Sequence, residues 1–213
     1  MAADFSPYPD LALELLPYSS GCQGDGSHDL SHLQRVWKNV RAIQAHEGGD
    51  LRILLAATLL HDCVAVEKNS PLRNRASTLA AEKADDILRD LGWCADTRQA
   101  VRHAVQTHSF SAALPAISLE ARILQDADRL DAIGALGIAR CFYTAGRMGS
   151  RLYHPQDPKA QQRPLDDARY ALDHFPAKLL KLADGFQTET GRQLAGQRQA
   201  RMQQYLHDLL TEL

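Results

Sequence analysis

No apolar run in this 213-residue chain reaches the roughly 20 residues needed to cross a bilayer, and no basic segment followed by an apolar one marks a signal peptide at the N-terminus. Cysteine is scarce as well: Cys22, Cys63, Cys94 and Cys141 stand far apart without a CxxC pair, the pattern expected of a reduced, cytoplasmic protein. Charge of either sign is not in excess. The 24 basic and 26 acidic residues are well mixed and leave a formal charge of −2, so no basic patch offers a surface to nucleic acid or to an anionic membrane, and a small-molecule partner is expected. Strand-like alternation and internal repeats are absent too, which points to an all-α fold. With 45% hydrophobic residues the chain can bury a substantial core. One compact helical bundle over 27–213, preceded by a lead segment at 1–26, is the expected organisation.

What the sequence does contain is a dense apolar stretch, Leu51 to Leu60, that ends in His61 and Asp62. It leaves no polar face, so a helix built from it is buried all round. His61 and Asp62 then sit at the inner end of a central helix. An ionised carboxylate there costs several kcal/mol unless it is paired or bound to a cation, and a divalent metal is the simplest resolution.

Other helices follow from apolar spacing and punctuation. A short lead helix is expected near Leu11–Leu16, and another from His28 to about His46, capped by Ser27 and stopped by Gly48-Gly49. His28 and His32, four apart, share one side of it. The connection after Asp62 is polar and carries Lys68, Arg73 and Arg75, a loop able to reach over a site at the helix end. Ala76–Leu91 favours helix and is stopped by Gly92. Asp96 with Gln99 resembles a capping box for a helix running to about His108. Ser118 is expected to cap one helix from Leu119 to Gly146, with Asp128 on its apolar side, Asp131 on a nearby face and Asp126 pointing away. Residues 147–166 hold three prolines and many polar side chains, a long loop suited to a lid. Two helical segments split at Pro176 and a terminal amphipathic helix complete the chain.

The chemically interesting residues are thus His32, His61, Asp62 and Asp128, with His28, His103 and His108 outlying. Imidazoles and carboxylates together suit a borderline divalent cation such as Mn, Fe, Co, Ni or Zn, and Mg where water completes the shell. Four protein ligands on an octahedral ion leave about two positions for water and substrate.

This ordered set resembles the HD superfamily of metal-dependent phosphohydrolases, whose pattern is a histidine, an adjacent His-Asp and a distant aspartate, all on helices. The corresponding residues are His32 in HLQRV, His61-Asp62 in LLHD and Asp128 in DADRLDAIG. The chain is similar to the small stand-alone bacterial HD hydrolases in HDxxHxxRV (28–36), KNSPLRNRAS, THSFS (107–111) and TETGRQLAGQR (188–198), over about residues 26 to 213. The resemblance implies one divalent cation held by His32, His61, Asp62 and Asp128. It further implies hydrolysis of a phosphate ester or anhydride of a nucleotide or small phosphorylated metabolite.

In that chemistry Asp62 partners the attacking water and His108 or His28 protonates the leaving group, while Lys68, Arg73 and Arg75 meet substrate phosphate and Arg35 supports a ligand. Some HD relatives add histidines at roughly the places of His28, His103 and His108 to bind a second metal; one metal is expected here. Cys63 is expected to be a buried small hydrophobe. Alarmone hydrolases of the superfamily carry HDxxED, whereas this chain reads HDCVAV, so that substrate class is disfavoured; the GYP signature of the cyclic-dinucleotide branch is absent as well. The alternative is a non-catalytic HD-fold sensor of nucleotide or metal, against which the complete ligand set argues. A purely structural metal would need a closed coordination sphere.

Overall fold

The computed structural model describes residues 2–19, 30–64, 66, 75–109 and 113–213. Among them there is no β-strand, only an isolated bridge between Arg151 and Tyr170. The helices are α1 (Pro9–Leu15), α2 (Leu30–Glu47), α3 (Leu51–Leu60), α4 (Ala76–Asp90), α5 (Ala95–Thr107), α6 (Leu119–Asp131), α7 (Gly134–Arg147), α8 (His174–Ala177) and α9 (Glu189–Thr211). The contacts group into two units, 1–128 and 129–213.

In the first unit α3 is the axis, packing against α1, α2, α4 and α5. Its start is set by Asp50, whose Oδ1 accepts the amides of Arg52 at 2.7 Å and Ile53 at 3.2 Å, two of the donors that a helix N-terminus leaves open. Just before it, Gly48 and Gly49 take φ of +83° and +96°, a conformation that ends α2 and suits glycine alone. From Leu54 to Leu60 every residue of α3 is buried. The lone hydroxyl in that stretch, on Thr58, donates back to the Leu54 carbonyl at 2.7 Å and so needs no outside partner.

Four local expectations are corrected. The single helix expected over 119–146 is two, because Ile133 is extended and Gly134 takes a φ of +76°, ending α6 and starting α7. Ser118 does cap α6, its Oγ accepting the Ala121 amide at 3.2 Å. α5 starts at Ala95 after Cys94, with Asp96 inside the first turn, where its charge complements the helix dipole without capping it. Asp126 is fully buried rather than facing away, since α6 is covered around most of its girth and not along one stripe. Pro176 lies in the first turn of α8, where a missing N–H costs nothing, and the break falls at Lys178. The expected cap Ser27 lies outside the described residues.

In the second unit α7 packs on α9, whose N-cap Thr188 accepts the Gly191 amide at 3.0 Å. The long segment 148–170 is fastened by Arg163, which donates to both carboxylate oxygens of the buried Asp173 at 2.5 and 2.8 Å. Among the described residues no helix is long and apolar enough to cross a membrane.

If α3 is the axis of its unit, removing side-chain volume from it opens a cavity. Leu55→Ala is expected to lower the free energy of unfolding by about 2–5 kcal/mol. Asp50→Ala, which costs only the cap, should lower it by about 1 kcal/mol. Urea denaturation of the two variants measures both.

Candidate metal centre

Two helices of the first unit end in the same way. His61 directly follows α3 and His108 directly follows α5, each still in helical conformation. The last carbonyls of a helix have no partner within it. Here one is met by the histidine's own ring: His61 Nδ1 lies 2.8 Å from the Thr58 carbonyl, and His108 Nδ1 lies 2.6 Å from the Val105 carbonyl. A carbonyl only accepts, so Nδ1 carries the proton in both rings. In the neutral rings Nε2 is then a bare lone pair.

These Nε2 atoms point into a shared cluster. His61 Nε2 is 3.2 Å from His32 Nε2, 3.4 Å from Asp62 Oδ2 and 3.9 Å from Asp128 Oδ1. His32 Nε2 is 3.5 Å from Asp128 Oδ1, and His108 Nε2 is 3.6 Å from Asp62 Oδ1. Two groups of three converging donors result, His32–His61–Asp128 and His61–Asp62–His108, both containing His61. The side chains come from α2, the ends of α3 and α5, and α6. His32 is 2% exposed and His61 0%, whereas the Asp62 and Asp128 side chains are 38% and 29% exposed, so the cluster opens to solvent on its carboxylate side.

The donor set fits a divalent cation. Lone pairs of neutral imidazoles facing ionised carboxylates repel one another unless a positive charge lies between them. Donors bonded to one ion at about 2.1 Å lie about 3.0–3.4 Å apart when adjacent, close to the separations around His61. Without a metal a proton supplies the positive charge. Burial pushes the His61 imidazole down, but the Asp62 carboxylate, Asp128 and the Thr58 carbonyl outweigh it and raise its pKa to about 9.

The structure brings His32, His61, Asp62, Asp128 and His108 together. His103 belongs to neither group: its Nε2 accepts the Ile117 amide at 3.2 Å, and burial lowers its pKa. Arg75 is exposed at the start of α4, and Arg35 donates to Ser31 Oγ at 2.7 Å. His28, Lys68 and Arg73 lie outside the described residues. Cys63 is buried, its thiol donating to the Ala80 carbonyl at 3.4 Å and pushed up to about 11 by burial. Sequence reasoning missed Lys83, whose ammonium donates to the Cys63 carbonyl at 2.9 Å, one residue from Asp62. Nothing in the alanine-rich sequence of α4 distinguishes that lysine from an ordinary surface one.

The chain is similar to several known proteins. The HD domain family matches residues 29–133. An uncharacterized protein of Bacillus subtilis, YpgQ, is 36% identical over 190 residues, which are 87% of this chain and 84% of that protein. The crystal structure of an HD-superfamily hydrolase from Bacillus thuringiensis is 31% identical, with a TM-score of 0.72 over 95% of this chain and 96% of that one. A structure of Bacillus subtilis YpgQ in complex with ADP is 32% identical, with a TM-score of 0.71 over 94% of this chain and 96% of that one.

The raised His61 pKa has a measurable consequence for metal uptake. Below about 9 the proton on Nε2 must leave before the nitrogen can bind a cation, so uptake releases that proton and affinity rises with pH, levelling above about 9. Calorimetric titration with Mn2+ in two buffers of different ionisation enthalpy, repeated across pH 6 to 9, is expected to show that release. A pH-independent affinity would remove His61 from the ligand set.

Proposed function

We propose that this chain, which belongs to the HD superfamily, is a metal-dependent phosphohydrolase that cleaves a phosphate ester or anhydride of a nucleotide or small phosphorylated metabolite. The observation that carries this reading is the convergence of three imidazoles and two carboxylates around His61, open to solvent on the carboxylate side. A closed structural site would bury those carboxylates. The ADP bound to YpgQ, a relative similar over nearly the whole of both chains, supports a nucleotide as the substrate class.

In this reading His32, His61, Asp62 and Asp128 hold one divalent cation, with Mn, Mg, Fe, Co, Ni and Zn all compatible with the donor set. Such a cation, when bound, supplies a water of lowered pKa and polarises a phosphoryl oxygen. Asp62 Oδ1, on the exposed side of the cluster, takes a proton from the attacking water. His108 Nε2, 3.6 Å from that oxygen, delivers a proton to the leaving group when its ring is protonated. His28 is the second candidate for that role by sequence. Lys68, Arg73 and Arg75 neutralise the phosphate charge. Residues 27–213 act as the HD domain with 1–26 as a lead segment, and the spread of unpaired cysteines suits the cytoplasm.

Mn2+-dependent phosphate release from a panel of nucleotides, dinucleotides and sugar phosphates tests the proposal. Wild type is expected to turn over at least one compound, and Asp62→Ala to lose about a hundredfold or more of that rate while keeping its helical circular dichroism. Full metal-dependent turnover by the folded variant would refute the assignment. Metal and nucleotide binding by wild type with no release from any compound would favour the sensor reading.

A further inference from the structure

Two buried carboxamides stand behind the cluster, and neither belongs to it. Asn39, 7% exposed on α2, donates from Nδ2 to the Ala127 carbonyl at 2.9 Å. Gln125, 6% exposed on α6, donates from Nε2 to the Thr107 carbonyl at 2.8 Å. Both acceptors are the residue immediately before a member of the cluster, Asp128 in one case and His108 in the other.

That position has a geometric meaning. The carbonyl of one residue and the nitrogen of the next share a single planar peptide unit. To hold the Ala127 oxygen is therefore to hold the plane from which Asp128 hangs, and to hold the Thr107 oxygen is to hold the plane from which His108 hangs. The two acceptors also have capacity to spare. Ala127 lies inside α6, where the helix uses at most one of the two carbonyl lone pairs. Thr107 is the last residue of α5, so its carbonyl has no partner within that helix.

A buried amide is a costly way to fill space, since its polar atoms must be paired, and a leucine or methionine would fill the same volume without that demand. What the amide adds is direction. Asn39 links α2, which carries His32, to the peptide of Asp128. Gln125, three residues before Asp128 on the same side of α6, links that helix to the peptide of His108. The chain thus closes a hydrogen-bonded frame from α2 through α6 to α5 behind its donor atoms.

We infer that Asn39 and Gln125 are positioning residues: Asn39 fixes the Asp128 carboxylate for the cation, and Gln125 fixes the His108 imidazole for its proton transfer. The inference rests on the metal reading above. Asn39→Leu and Gln125→Met remove the donors with side chains of similar branching and reach. Mn2+ affinity is read by electron paramagnetic resonance of the free ion, well below the melting temperature of each metal-free protein, and that melting temperature is recorded alongside.

Asn39→Leu is expected to bind Mn2+ about tenfold more weakly than wild type, whereas Gln125→Met, whose partner precedes the proton donor, is expected to keep wild-type Mn2+ affinity and to shift the limb of the pH–rate profile that reports that donor. If Asn39→Leu does not fold, Asn39→Ser, which shortens the donor, carries the same measurement. A folded Asn39 variant that melts earlier yet binds Mn2+ with wild-type affinity, or a folded Gln125→Met with an unchanged pH–rate profile, would overturn the inference, because the amides would then only join helices. Failure of wild type itself to bind Mn2+ would overturn the metal reading and this inference with it, a result distinct from the first.

Discussion

The arrangement of the cluster depends on one modest interaction, the hydrogen bond from a histidine ring to the carbonyl three residues earlier. It occurs at His61 and again at His108, in each case at the C-terminal end of a helix. Each bond meets a carbonyl that the helix leaves open, fixes the tautomer and aims the other nitrogen inward. A side chain with one ring nitrogen fewer could not do both. Secondary structure and site geometry are therefore linked through the same atoms, and the place where a helix stops decides where its histidine points.

That link explains the apolar character of α3. A ring held at the end of a helix is placed no better than the helix itself, and α3 is buried from Leu54 to Leu60 and enclosed by α1, α2, α4 and α5. Packing of that kind resists displacement because every shift opens a void or forces an overlap. The cost of placing His61 at 0% exposure beside two carboxylates is met by a positive charge, a proton in the metal-free protein and a cation in the proposed enzyme.

Much of this was legible in the sequence. The apolar run ending in His-Asp gave the buried axis, and helical spacing with glycine stops gave the order of elements to within a few residues. His32, His61, Asp62 and Asp128, singled out from three separate helices, do come together in space, as does His108. What was not legible depends on contacts between distant segments. Asp126 was expected on the outer face because spacing shows one apolar stripe, whereas α6 is covered nearly all round. The break at Gly134 is invisible to apolar periodicity, which continues through it. Arg163 lies inside the proline-containing stretch 147–166 and pairs with Asp173 beyond it, while the composition of that stretch signals only irregular backbone. Lys83 acquires its partner from a carbonyl twenty residues earlier, a relation that no local pattern encodes.

His61 belongs to both groups of converging donors, and this sharing limits what the cluster can hold. An imidazole nitrogen has a single lone pair and bonds to one cation at a time. The His32–Asp128 side and the Asp62–His108 side therefore draw on the same electron pair, so two separate ions cannot both be anchored through His61. The ligands of the proposed ion come from both groups, so a single cation anchored on His61 joins the two flanks into one shell.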